Sequence, residues 1–340
     1  MTEYSRRAFL AMAGGAAFAS ENRSTVSLIQ GEDRRKNVYQ ALVAIDDQIR
    51  PRLRQKKYVL LKANCVAVNN QLGSTHADAL RGILDYLAPR FKGPIVIADS
   101  SKDCTWDAYE NFHYNRVVDE YRSQKVSLVD LNDEEKSVAH EIINRDLHLT
   151  PVRLAGRLFD PDAFILGSAI LKAHDNVVVT LSVKNLAMAA PLHQSRKETK
   201  TWHDKYKYHA GYRQIQMNVA LTAKRLHPFW GATVIDGFEG MEGEGPLRGT
   251  PVASRVAIAS TDFVAADRVG VEAMGVDPKW PGYLRYCADM GLGQYDLAKI
   301  DLRGGVGIDS IRKTYKLHPR IDRQLEWMGP LSQPQTPPSR

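Results

Sequence analysis

Only three cysteines occur in 340 residues, Cys65, Cys104 and Cys287, and no two form a C-x-x-C pair. The chain therefore offers neither a thiolate zinc site nor the ligands of its own iron–sulfur cluster, and any metal must rely on oxygen or imidazole donors. One disulfide is open to it in an oxidising compartment, with no pairing favoured. Long apolar runs are also missing, and no stretch reaches the length that a membrane-spanning helix needs. Neither the phosphate loop G-x-x-x-x-G-K-[ST], nor the nucleophile elbow G-x-S-x-G, nor the pair H-E-x-x-H is present. Gly237, Gly240, Gly243 and Gly245 do not form G-x-G-x-x-G after a first strand, which argues against a nicotinamide enzyme.

What is present is ordinary in composition, 44% hydrophobic and 25% charged, with a net charge of +7. The amino terminus stands apart. Ser5-Arg6-Arg7-Ala8-Phe9-Leu10 precedes a short run of small and apolar residues from Ala11 to Phe18, the pattern of a twin-arginine export signal. Ala17-Phe18-Ala19 has the small residues that a signal peptidase reads, so residues 1–19 are expected to leave and Ser20 to become the mature terminus. The expected location is periplasmic or extracellular. There a basic surface points to a small anionic ligand rather than nucleic acid, and the membrane is met only through the export machinery.

Residues 20–33 are polar and aperiodic and are expected to be a linker, while the proline-rich stretch after 325 is expected to be a flexible tail. Between them, residues 34–325 read as one α/β domain or two fused lobes. Val38, Leu42, Ile45 and Ile49 share one helical face, and Pro51 is expected to close that helix. Tyr58-Val-Leu-Leu61, Ile95-Val-Ile-Ala98 and Val126-Ser-Leu-Val129 are short continuous apolar runs, as in strands covered on both faces. Helical spacing separates them: Leu80, Ile83, Leu84 and Leu87 follow the cap candidates Ser74 and Thr75, and a second helix covers Val117 to Tyr121. The alternation continues with a strand at Ala163–Leu166, helices across Val177–Met188 and Gln214–Leu226, strands at Thr233–Ile235 and Val256–Ala259, and a helix capped by Asp262. It predicts a largely parallel, Rossmann-like layered sheet with helices on both faces.

In such sheets ligands bind beyond the carboxyl ends of the strands, so the residues just after each apolar run are the candidates. They are Lys62 and Asn64, then Asp99, then Lys172 and His174, and finally Asp236 with the glycine-rich turn expected after Ile235. Lys184 and Asn185 join them, because the apolar helix around Leu181–Met188 has no packing reason to carry an ammonium. Buried lysines near one another lower each other's pKa and favour an anion. Asp236, Glu239 and Glu242 among glycines could move protons, bind a divalent metal or hold a hydroxyl. The segment Gln194–Arg213 interleaves six basic residues with Trp202, Tyr206, Tyr208 and Tyr212 and is expected to be a lid over an anion or sugar ring.

Lys62-Ala-Asn64, Ala98-Asp-Ser100, Leu171-Lys-Ala-His174, Val183-Lys-Asn185 and Ile235-Asp-Gly237 resemble the family called domain of unknown function 362. So do the run Gly240-Met-Glu-Gly-Glu-Gly-Pro246, Gly249-Thr-Pro251, Ala259-Ser-Thr-Asp262, Ala266-Asp267 and Met274-Gly-Val-Asp-Pro278, and the resemblance runs over most of residues 57 to 295. Some members carry ferredoxin-like iron–sulfur modules and some have twin-arginine signals; this chain has cysteines for no such module. The resemblance supplies positions without a reaction.

The expected function is therefore an exported enzyme acting on a small anionic substrate. Lys62, His174, Lys184 and Asp236 would be catalytic, and Asn64, Asp99, Lys172, Asn185 and His209 would bind substrate. Asp236, Glu242 and Asp267 would hold a divalent metal if one is used. The alternatives are a non-catalytic anion-binding protein and a redox subunit that relies on a partner's iron–sulfur cluster. The acid pair Asp236 and Glu242 separates the first two, since carboxylates beside the lysines would weaken pure anion binding.

Overall fold

A computed structural model of the chain describes residues 23–330, so the expected signal at 1–19 and the residues after 330 lie outside the described part. Among the described residues the strands are β1 (Ser24–Gln30), β2 (Tyr58–Lys62), β3 (Ile95–Asp99), β4 (Val126–Asp130), β5 (Ser137–Ile143) and β6 (Leu149–Ala155), followed by β7 (Ala163–His174), β8 (Val178–Thr180), β9 (Trp230–Glu242), β10 (Thr250–Val252), β11 (Val256–Ser260) and β12 (Ile300–Arg303). One sheet runs β12-β1-β11-β9-β7-β2-β3-β4, with β8 and β10 attached as short antiparallel additions and β5–β6 as a separate hairpin. Along this path β9, β7, β2, β3 and β4 are mutually parallel. Strand β11 lies antiparallel to both β9 and β1, so it alone is reversed.

Alternation along each strand sorts the core into two layers. Val59, Leu61, Ile97, Leu166, Val234 and Ala257 pack on one face beneath α1 (Arg34–Val43), α2 (Asp46–Leu53), α3 (Ala77–Leu87), α4 (Thr105–Asn111) and α5 (Tyr114–Glu120). Leu60, Ala98, Ile165, Ala169, Ile235 and Ile258 pack on the other with α6 (Ser182–Ala189), α8 (Tyr212–Leu226), α9 (Phe263–Ala273) and α10 (Gly282–Asp289). A single helical turn, α7 (Asp204–Lys207), lies between α6 and α8. The result is a mixed α/β layered fold with a largely parallel central sheet and helices on both faces.

Several expected boundaries move. The stretch expected to be a linker contains β1, an interior strand: Val26 and Leu28 are fully buried, and Ser27, facing the other way, donates its hydroxyl to Ala41 O at 2.6 Å. The first helix breaks at Ile45 into α1 and α2 with all four of its marker residues buried, and Pro51 sits inside α2. Helix α3 is capped by the His76 ring, which accepts from Asp78 N, rather than by Ser74 or Thr75. Val178–Thr180, expected to be helical, folds back on β7 as β8 and leaves α6 to begin at Ser182. Residues 326–330 are not a free tail, because Trp327 donates to Trp280 O at 2.9 Å and Arg213 bonds the carbonyls of Glu326, Trp327, Gly329 and Pro330.

The largest change is in β9, which does not end at Ile235 but runs on through Glu242. Glycine allows it: at Gly240 an added Cβ would collide with Leu171 O and the Tyr315 hydroxyl, so only a bare backbone fits between β7 and the carboxyl-terminal region. The turn expected at Asp236 therefore lies later, at Gly243–Gly249.

Candidate functional site

Strands β2, β3 and β7 deliver their carboxyl ends to one edge of the sheet, where α6 and α7 close over a cavity of about 330 Å³. Lys62, Asn64, Asp99, Lys172, His174, Lys184, Asn185 and His209 all line it. Lys62, the last residue of β2, places its ammonium 2.8 Å from Asp99 Oδ1 and 3.1 Å from Asn185 Oδ1, and also bonds Ala63 O. Asn185 Oδ1 accepts from Asn64 Nδ2 at 2.7 Å, and Asn64 Oδ1 in turn accepts from Lys172 Nζ at 2.7 Å. Lys172 donates a second bond to Gly73 O at 2.7 Å. Two asparagine amides thus link two buried lysines in a fixed chain, and Asp99 is held by the N–H groups of Cys65 and Ser100.

Burial is the first cause of every resolved pKa shift on the cavity's lysines and histidines, because a charge removed from water is disfavoured. The Lys172 ammonium is pushed well below its ordinary pKa by burial and then by Lys184, with Lys62 adding to the effect. Lys205, reaching in from α7, is lowered to about 7 by burial, with Asp99 opposing. Its ammonium is nevertheless well bonded, to Ser100 O at 2.8 Å, Ser100 Oγ at 3.0 Å and Met188 O at 2.6 Å. Lys184 is different. Its pKa is lowered to about 8 by burial and supported only by Asp175, and among the described residues its ammonium has no hydrogen bond or ion pair.

His174 lies beside it, with a pKa well below the ordinary value through burial and the neighbouring Lys184 and His209. Its Nδ1 accepts from Asn176 N at 3.0 Å, which leaves the ring proton on Nε2. Asp175 Oδ1 stands 3.1 Å from the same Nδ1, but a neutral ring makes that contact no ion pair. His209 is likewise lowered by burial and by Lys184. Among the described residues the Thr180 hydroxyl, buried in the cavity wall, has no hydrogen-bond partner.

The three acids expected to hold a metal do not line this cavity. Asp236 follows Ile235 on β9, so it points to the opposite face of the sheet, where Arg34 Nε from α1 lies 3.1 Å away and Phe238 N donates at 2.9 Å. Burial raises its pKa against the pull of Arg34. Asp267 on α9 accepts from Ser182 N at 2.7 Å and Val183 N at 3.0 Å, capping α6 from outside; burial raises it to about 7. Glu242 accepts from Lys316 N at 2.8 Å, with the Lys316 ammonium 3.6 Å off. Each carboxylate is committed to protein partners, and no group of three or more His, Cys, Asp or Glu placed to hold a metal ion is found among the described residues. The residues present do not fit the expected metal set.

The segment expected to be a lid is divided. Lys205 and Tyr208 are buried, Lys207 pairs with Asp204 at 2.8 Å, and Arg213 is tied to the carboxyl-terminal turn. Lys205, Tyr206 and His209 therefore belong to the cavity wall, and the continuous exposed run lies at 196–201. Lys205 is one of six basic residues in the expected lid, and its neighbours Asp204 and Tyr206 give no sign of its burial. Asp175 and Asn176 were within reach, since they directly follow the predicted His174.

A family model described as domain of unknown function (DUF362) matches residues 59–272, and the chain belongs to that family. No curated protein matches it. A crystal structure of a protein from Thermotoga maritima, a structural-genomics target, is similar at 8% identity over 77% of this chain, with a TM-score of 0.43. The chain spans 60% of that protein's length, and likeness at this level carries no argument about activity.

Proposed function

We propose that the chain is an enzyme acting on a small anionic substrate in the lysine-lined cavity, with Lys184 as the group that takes and returns a proton. The observation that carries this reading is the contrast among four buried lysines. Lys62, Lys172 and Lys205 are each bonded to fixed oxygens, whereas Lys184 has none among the described residues, and its pKa of about 8 suits proton transfer near neutral pH. An anion entering the cavity restores the charge balance that burial disfavours, and the neutral His174 offers Nε2–H as a donor to it.

Asp236 and Glu242 lie outside the cavity, which favours a second reading, a non-catalytic anion-binding protein. One experiment separates the two. Small carboxylates, phosphate monoesters and sulfonates are screened for binding by calorimetry, and those that bind are followed by proton NMR in deuterium oxide. Conversion or loss of a substrate C–H signal that disappears in Lys184→Met supports the enzyme. Tight binding with no chemistry for any compound leaves the binding protein.

Export by the twin-arginine route belongs to the proposal on the strength of Ser5–Leu10 alone. Replacing Arg6 and Arg7 by lysine is expected to retain the protein in the cytoplasm, and continued export would remove this part of the reading. The same proposal has the chain work without an iron–sulfur cluster of its own.

A further inference from the structure

A small inorganic anion fills little of the cavity. Its volume of about 330 Å³ compares with about 30 Å³ for one water in the liquid, so it accommodates on the order of ten heavy atoms. The lysines and asparagines occupy the floor, where Lys62 and Lys172 are almost wholly buried. Towards solvent the lining changes character. Tyr206 on α7 is 57% exposed and Leu247 is 39% exposed, and both belong to the cavity wall together with Pro246.

These exposed apolar groups are held in place. Tyr206 stacks on the His203 ring at 3.6 Å with planes 10° apart, and His203 stacks on His193 at 4.7 Å. Burial and the neighbouring His193 lower the His203 pKa to about 4, so the middle ring is neutral at physiological pH. Lys205, the residue before Tyr206, anchors α7 to Ser100 and Met188. On the other wall Asn70 Nδ2 donates to Leu247 O at 2.7 Å and fixes the turn after β9. A soluble surface has no reason to fix an open aromatic face and a leucine at the mouth of a cationic cavity unless apolar surface comes to cover them.

We infer that the substrate is amphipathic: an anionic head held by the lysine floor, and an aryl or similar apolar group lying at the mouth against Tyr206 and Leu247. This rests on the anion site proposed above and adds the substrate class. The apolar part belongs to the same molecule as the anion, because floor and mouth are one continuous cavity.

The test compares three probes on the intact chain by calorimetry: acetate, 3-phenylpropanoate and 3-phenylpropanamide. Phenylpropanoate is expected to bind at least ~10-fold more tightly than acetate and than the amide, as burial of a ring and pairing of a charge each imply. In the double variant Tyr206→Ala, Leu247→Ser, whose side chains are exposed and whose melting temperature should be unchanged, the preference over acetate is expected to fall to within ~3-fold. Equal affinity for the two acids, with both still preferred over the amide, would overturn the apolar subsite and leave the anion site standing. Equal affinity for acid and amide, or no binding of any probe, would overturn both.

Discussion

The buried lysines at the ends of β2 and β7 and the buried acids on β9 and α9 differ in where their hydrogen bonds go. Asp267 closes the first turn of α6 with two backbone N–H groups, and Asp236 is answered by Arg34 and Phe238 N. On the lysine side, among the described residues, the Lys184 ammonium and the Thr180 hydroxyl have no hydrogen-bond partner beside open space. Backbone N–H groups account for Asp236 and Asp267 as structure, whereas a buried ammonium facing open space is left wanting a ligand. Both regions have shifted pKa values, and a shift alone would not have told them apart.

The sharpest way to break this comparison is to delete the unpaired charge. Lys184→Met keeps the apolar volume of the side chain and is expected to reduce turnover by ~10²–10⁴-fold, the span that a general acid or base usually supplies. The same change should stabilise the fold at neutral pH. A lysine lowered to about 8 in the fold, against ~10.4 unfolded, binds fewer protons folded than unfolded between those values, so wild-type stability rises with pH across that window. At pH 7 the variant is expected to be more stable by up to about 3 kcal/mol, with the difference closing near pH 10. Urea unfolding at both pH values measures it, and a less stable variant at pH 7 would give Lys184 a structural role.

On the acid side the largest effect should be on stability. Asp267→Ala strands the N–H groups of Ser182 and Val183 in a buried setting and is expected to cost about 2–3 kcal/mol. An acid raised to about 7 in the fold, above its unfolded value, contributes stability that is full below about pH 4 and lost as pH rises towards 7. The deficit of the variant should therefore be larger at pH 5 than at pH 8, as read by thermal melts. Because α6 carries Lys184 and Asn185, binding should also weaken, through the position of the helix rather than through contact.

Eight of the expected site residues meet in one cavity: Lys62, Asn64, Asp99, Lys172 and His174 because parallel strands share an edge, and Lys184, Asn185 and His209 because α6 and the end of α7 close over that edge. Asp236 escaped for two reasons of physics. Strand β9 continues past the end of its apolar run because glycines let β7 and Tyr315 come close, and a one-residue step along a strand reverses the face. Strand β1 was hidden because Ser24, Thr25, Ser27 and Gln30 make a half-polar pattern look like loop, although Val26 and Leu28 alternate as a strand requires. The two-layer α/β plan survived these errors, since it depends on the order of elements and not on their ends.

Two smaller changes sharpen the comparison where the sequence pointed to a metal. Asp236→Asn removes one charge of a largely buried pair, but Glu239 stands 3.9 Å from Arg34 and can answer it, so the expected cost is about 1 kcal/mol, well below the usual loss for a broken buried pair. Anion binding should not change, because the pair lies on the far face of the sheet.

Glu242→Gln should do least. The carboxylate accepts from Lys316 N, a bond that the glutamine oxygen can keep, and the Lys316 ammonium opposite is 80% exposed, so the ion pair contributes little in water. A stability change within ~0.5 kcal/mol and unaltered probe affinity are expected from denaturation and calorimetry. A loss of binding or turnover as large as that of Lys184→Met would mean that Glu242 reaches the chemistry after all. The division between a lysine side that binds and an acid side that only holds the fold together would then fail at the residue where it predicts the least effect.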